Sequence, residues 1–124
     1  VLSADMVTAD AKALVHVLSN FIDNAIKYGP LGGMIEVGIE HKIDHVTVFV
    51  EDNGPGIAEK HQERIFERFY RVETGRSREA GGTGLGLAIC KNLIEAMSGE
   101  VGYKTRTGGG SRFWFRLKTV IIRI

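Results

Sequence analysis

Only one cysteine, Cys90, occurs in 124 residues, so no internal disulfide can brace this chain, and a reducing compartment suits it. Cys90 sits in an apolar helical stretch and reads as a small core residue. Proline is nearly absent too, with Pro30 and Pro55 alone, so glycine must make most of the breaks between elements. The histidines His16, His41, His45 and His61 have no metal-ligand spacing and no cysteine beside them, which argues against a zinc site. No Ser-His-Asp set and no paired carboxylates are visible. No apolar run approaches a membrane span and there is no signal peptide. Neither sign of charge dominates: 16 basic and 15 acidic residues leave a net +1, which gives no bulk attraction to nucleic acid or to a membrane surface. With 44% hydrophobic and 25% charged residues, the composition is that of an ordinary globular domain. One domain over residues 1–124 is expected. The start at Val1 without Met suggests a piece excised from a longer protein.

Glycine is what the chain has in quantity, 16 in all. The densest run is Gly81-Gly82-Thr83-Gly84-Leu85-Gly86-Leu87-Ala88, with an apolar helical pattern immediately after it. Glycine lets backbone approach a ligand closely. A helix start offers unpaired N–H groups and the positive end of a dipole. Together these suit a phosphate, although a glycine hinge before a core helix would read similarly. The known phosphate loops do not fit. There is no G-x-x-x-x-G-K-[ST], and Ile89 stands where a dinucleotide fingerprint needs Gly or Ala. Arg64, Arg68, Arg71, Arg76 and Arg78 crowd just before the cluster.

Periodicity orders the rest. Leu14, Val17, Leu18, Phe21, Ile22, Ala25 and Ile26 form an apolar stripe that predicts a helix from about Asp10 to Tyr28. Ile35, Val37 and Ile39 alternate with Glu36, Gly38 and Glu40 as a half-buried strand, and Val46, Val48 and Val50 continue as its hairpin partner. A short helix is expected over Glu59 to Phe69, then a polar, Arg- and Gly-rich loop over 71–83, whose length suggests function or mobility. A helix from about Leu85 to Met97, ended by Ser98-Gly99, precedes strands near Val101–Arg106 and Arg112–Lys118. This order predicts an α+β two-layer sandwich, helices on one face of a mixed sheet.

Three groups could carry chemistry. His16, Asn20, Asn24 and Lys27 recur on the helix side opposite the apolar stripe. They are either a solvated face or a ligand set. Asparagine is a mediocre helix former, and amide oxygens suit a hard cation such as Mg²⁺. Asp52 continues the alternation of Val46, Val48 and Val50 and so points toward the core. It is either a turn residue accepting backbone N–H groups or the floor of a pocket opened by Gly54 and Gly56, ready for an amine such as adenine N6. The glycine cluster is the third.

In this order the motifs resemble the catalytic ATP-binding domain of sensor histidine kinases, within the GHKL superfamily that also holds gyrase B subunits, mismatch-repair ATPases and heat-shock chaperone ATPases. The N box looks like Asn20-Phe-Ile-Asp-Asn24-Ala25-Ile-Lys27-Tyr28. The G1 box D-x-G-x-G is matched by Asp52-Asn-Gly54-Pro-Gly56. The F box is similar to Ile65-Phe66-Glu-Arg-Phe69-Tyr70-Arg71, and the G2 box G-x-G-L-G-L to Gly82-Thr83-Gly84-Leu85-Gly86-Leu87. A final [ST]-x-x-G-x-G-[ST]-x-F fits Thr105 through Phe113.

The resemblance implies a Bergerat-type sandwich holding ATP under a mobile lid over residues 72–83. It implies that Asp52 receives the adenine amine with support from Thr105 through water, and that Tyr28 lines or stacks on the base. Asn24 would bind Mg²⁺ with Asn20 beside it. Lys27 and Arg71 would meet the phosphates, and the Gly82–Leu87 backbone would cradle them. Phe66 and Phe69 would anchor the lid, although Phe66 reads equally as a core aromatic. The phosphoacceptor histidine of the family's H box is missing from this sequence. The implied partners are therefore ATP, a helical dimerisation domain carrying that histidine and, indirectly, a response regulator. No nucleic acid and no direct membrane contact are implied, and the setting would be the cytoplasmic part of a sensor kinase. The rival is a non-catalytic docking module of the same fold, with a GHKL protein-serine kinase a weaker third reading. The tail Val120–Ile124 runs past the family's usual end.

Overall fold

Asp10 starts the first helix. Its Oδ1 accepts the N–H groups of Lys12 at 2.9 Å and Ala13 at 3.3 Å, satisfying two donors that the first turn leaves open. The computed structural model describes residues 9–29, 33–72 and 85–119. Helix α1 spans Ala11–Tyr28, followed by β1 (Ile35–His41), β2 (His45–Asp52), a single helical turn α2 (Glu59–Gln62), α3 (Gly86–Ala96), β3 (Glu100–Thr105) and β4 (Ser111–Lys118). The expected lid, with Arg76 and Arg78, and the tail Val120–Ile124 lie outside the described residues, apart from Val72, which packs against the core.

The strands form one sheet in the order β1-β2-β4-β3. All of its pairings are antiparallel, so no parallel pair of the expected mixed sheet occurs among the described residues. Both helices lie on one face, α1 over β2 and α3 over β3, and the architecture is the expected two-layer α/β sandwich. Phe21, fully buried, reaches Phe113 at 5.5 Å and Phe115 at 6.4 Å between ring centroids. Val17, Val50, Cys90 and Ile94 complete the centre. Burying a side chain of the size of Phe21 contributes about 2–3 kcal/mol.

Two further expectations needed correction. The helix expected over Glu59 to Phe69 closes after one turn at Gln62. Beyond it the chain runs in successive i→i+3 turns, from Arg64 to His61, Glu67 to Arg64 and Tyr70 to Glu67. Ile65 and Phe66 both turn to the core, and Phe69 adopts φ 65°, which an α-helix excludes. Strand β1, read as half-buried, is an edge: Ile35, Val37 and Ile39 are 40%, 47% and 56% exposed, because α1 lies mainly over β2. At the end of α3 it is Ser98, not Gly99, that takes the left-handed conformation, at φ 61°. A Cβ on Gly99 would stand 2.4 Å from the Arg116 carbonyl oxygen, so Gly99 serves close approach instead.

Candidate functional site

The register places four residues in one row across the sheet on its helix-covered face: Ile35, Asp52, Ser111 and Thr105. Asp52 and Ser111 are buried cross-strand neighbours, whereas Thr105, one strand further, is exposed. Asp52 follows from the alternation that buries Val50. Its Oδ1 accepts the Gly54 N–H at 2.8 Å, the turn geometry of an Asx residue. Its Oδ2 has no hydrogen-bond partner among the described residues. A buried carboxylate with one open oxygen is a strong acceptor, and its most natural complement is an N–H donor.

Glycines shape the floor around this row. Gly110 sits at φ +113°, where a Cβ would fall 1.9 Å from the Asp52 carbonyl oxygen. Gly56, at φ +75°, faces Gly110 and the Tyr103 hydroxyl. That hydroxyl accepts the Ile57 N–H at 2.9 Å and lies 3.0 Å from Ser111 Oγ. Gln62 donates from Nε2 to the Ile57 carbonyl at 2.9 Å and to Thr105 Oγ1 at 3.4 Å. The segment after Asp52 is therefore tied to β3 and β4 through side chains.

The second part of the site comes from α1. Asn20 and Asn24 are half-buried and flank Phe21, whose ring packs on Phe113, two residues along β4 from Ser111. Asn20 does not belong to a solvated face. It stands against the start of α3, where a Cβ on Gly86 would come within 2.7 Å of its Nδ2. Its Oδ1 is buried and has no hydrogen-bond partner among the described residues, which normally signals an absent ligand, ion or water. Lys27 is exposed in the last turn of α1. Tyr28 closes the helix, and its side chain lies outside what is described, as do Gly82, Thr83 and Gly84. Leu85 and Leu87 are half-buried at the head of α3. Among the described residues no group of three His, Cys, Asp or Glu side chains could hold a metal ion.

Arg71 is exposed at the end of the turns that follow α2. The Tyr70 before it is held by a hydrogen bond to His61 Nδ1, and the Arg64 guanidinium stacks 4.5 Å from its ring centroid. Phe66 packs edge-on to Phe113 at 6.4 Å and belongs to the core, while Phe69 is 66% exposed.

On the helix-free face, Arg112 reinforces the register beside Asp52. Its Nε meets Glu51 at 2.9 Å, one terminal nitrogen meets Glu40 at 2.8 Å, and its guanidinium lies 3.8 Å from the Phe49 ring centroid. Burial works against the Arg112 charge, but the bonds to Glu40 and Glu51 outweigh it and raise its pKa. The hydrogen bond from Arg112 holds the Glu40 carboxyl below the usual range.

Ser111 stands in the final motif without an assigned role, and Tyr103 and Gln62 stand in no motif. The alternation of Phe113, Phe115 and Leu117 was the available signal for Ser111, since it puts Ser111 on the core face. Nothing in the sequence marks Tyr103 or Gln62, because their role depends on contacts across 46 and 43 positions.

Comparison with known proteins agrees with this fold. Residues 9–121 match the family described as histidine kinase-, DNA gyrase B- and HSP90-like ATPase. The chain is 42% identical over 110 residues to sensor protein IrlS of Burkholderia pseudomallei, covering 89% of this chain and 24% of IrlS. The catalytic domain of histidine kinase ThkA superposes with a TM-score of 0.78 at 32% identity, covering 90% of this chain and 70% of that one. ThkA has also been solved in complex with the response regulator TrrA. Full-length ShkA in complex with AMPPNP superposes at 0.77 with 34% identity, over 96% of this chain and 24% of ShkA. The chain thus spans about a quarter of the length of the curated relative it matches.

Proposed function

The chain belongs to the histidine kinase-, DNA gyrase B- and HSP90-like ATPase family, and on that footing we propose that it binds Mg-ATP and donates the γ-phosphoryl group to a histidine on a separate helical domain of a sensor histidine kinase. The observation that carries this reading is the buried Asp52 carboxylate, turned by the Gly54 N–H so that one oxygen stays open beside Ser111. That oxygen accepts the adenine amine. Ser111 next to it, and Thr105 at the end of the same row, supply hydroxyls for the base edge or for a bridging water. Tyr28 stands at the end of α1 to line the base.

The residues of α1 and α3 fit a magnesium-bound triphosphate. The orphaned Asn20 Oδ1 and the half-buried Asn24 offer neutral amide oxygens of the kind a hard cation takes alongside phosphate oxygens and water. When bound, the ion neutralises charge on the phosphates. Lys27 and Arg71 would meet the phosphates, and the Gly82–Leu87 run ahead of α3 would cradle them. The work of these residues is positioning and charge compensation. The acceptor histidine is supplied by the helical domain, and Phe69 offers that domain an exposed aromatic to dock against. From there the phosphoryl group passes to a response regulator. Support for such a partner comes from the ThkA–TrrA complex.

Calorimetric titration with a non-hydrolysable ATP analogue tests the reading. Saturable binding that tightens with Mg²⁺ is expected. Absence of binding with and without Mg²⁺ would refute it.

A further inference from the structure

Tyr103 sits on β3, opposite Phe113, with its ring edge-on to that phenyl at 5.1 Å. Its hydroxyl lies under the glycine segment that follows Asp52, 3.6 Å from where a Gly56 Cβ would stand. Two hydrogen bonds fix it, one with the Ile57 N–H at 2.9 Å and one with Ser111 Oγ at 3.0 Å. A backbone N–H can only donate, so the phenol oxygen accepts from Ile57. The phenol proton then needs an acceptor, and Ser111 Oγ is the one present among the described residues. Were Ser111 the donor instead, both hydrogen bonds would end on the phenol oxygen and its own proton would have no partner in a part-buried position. Ser111 therefore accepts from Tyr103, and its own proton is free to point elsewhere.

We propose that Tyr103 is a specificity-determining positioning residue: it fixes Ser111 as a hydrogen-bond donor beside the acceptor Asp52. An acceptor next to a donor is the complement of a 6-aminopurine edge, in which the exocyclic amine donates and N1 accepts. It is the wrong complement for a 6-oxopurine, in which O6 accepts and N1–H donates. Asp52 alone reads the amine. The chain Ile57 N–H, Tyr103 O–H, Ser111 O–H adds a second reading at N1, directly or through one water. This inference rests on the ATP-binding reading above.

The test pairs nucleotide and protein changes. ATP and 1-deaza-ATP, in which CH replaces N1, are titrated with Mg²⁺ into the wild-type chain, Tyr103→Phe, Ser111→Ala and the double variant. In the wild type, losing N1 should weaken binding roughly threefold to tenfold, the worth of a neutral hydrogen bond. In Tyr103→Phe the ring and its packing on Phe113 remain, ATP should weaken by a similar factor, and the ratio between the two nucleotides should contract toward one. In Ser111→Ala the ratio should be near one, and adding Tyr103→Phe should not change it. If Tyr103→Phe weakens both nucleotides equally and leaves the ratio intact, Tyr103 is only structural and the proposal is overturned. If Tyr103→Phe does not fold, 3-fluorotyrosine at position 103, a stronger donor of similar size, should raise the wild-type ratio, and an unchanged ratio overturns the proposal. A wild-type chain that binds ATP and 1-deaza-ATP equally refutes this inference alone, whereas a wild-type chain that binds neither refutes the ATP reading as well.

Discussion

Asp52→Asn is the most informative substitution in this chain. The amide is nearly the size of the carboxylate, and its Oδ1 can keep the 2.8 Å bond from the Gly54 N–H. The turn after β2 and the pairing with Ser111 should persist. What changes is the open atom, an acceptor oxygen replaced by an NH₂ donor, which now meets the adenine amine donor to donor. A hydrogen bond to a charged group contributes about 1.5–3 kcal/mol, so ATP affinity should fall roughly tenfold to a hundredfold. The same change removes the clash between a carboxylate and guanine O6 and offers that oxygen a donor. GTP should therefore bind the variant at least as well as it binds the wild type, and the ATP-to-GTP preference should shrink by at least the loss of ATP affinity. Calorimetry with non-hydrolysable ATP and GTP analogues in Mg²⁺ reads both quantities, and a thermal melt checks that the variant is folded. An Asp52→Asn chain that is folded and keeps its ATP affinity, or loses ATP and GTP affinity in equal measure, would show that Asp52 does not read the base.

Three further outcomes are expected, the last of them from the proposed function. Gly110→Ala should destabilise by about 3 kcal/mol or more, since its Cβ would sit 1.9 Å from the Asp52 carbonyl oxygen; Gly109→Ala, at φ +107° but with open space around it, should cost clearly less, and equal melting temperatures for the two would contradict the packing. Burial pushes the Cys90 thiol up to about 12 from 9.0, so above pH 9 the unfolded chain gives up a proton that the folded one keeps. Stability should then fall by about 1.4 kcal/mol per pH unit toward pH 12, and chemical denaturation in Cys90→Ala should show a shallower fall; identical slopes would remove Cys90 from the account. Incubated with γ-labelled ATP, the chain alone should retain no acid-labile phosphate and should label a matching helical domain added in trans, whereas stable phosphohistidine on this chain would place the acceptor here.

How much of this was legible in the sequence depended on how local the determining contacts are. Helix α1 was clear because its apolar stripe from Leu14 to Ala25 packs on the core, although Ile26, read as part of that stripe, is exposed. The inward Asp52 was clear because a strand's alternation carries through to its last residue. The turns after Gln62 were not, because apolar residues at 65, 66 and 69 fit a helix face as well as a chain pinned by Tyr70–His61 and Phe66–Phe113 contacts. Alternation in β1 identified its apolar face but could not show that α1 leaves that face uncovered. The row from Asp52 to Thr105 was half visible for the same reason. The final motif offers two hydroxyls, Thr105 and Ser111, and spacing alone does not say which lies beside Asp52. That is decided by β4 inserting between β2 and β3, which seats Ser111 next to the carboxylate and moves Thr105 one strand away. Tyr103 lies deeper still, since its hydroxyl matters only after β3, β4 and the glycine segment have met. A residue placed by a local motif can be read from the chain, but one that acts through such a residue becomes visible only with the register.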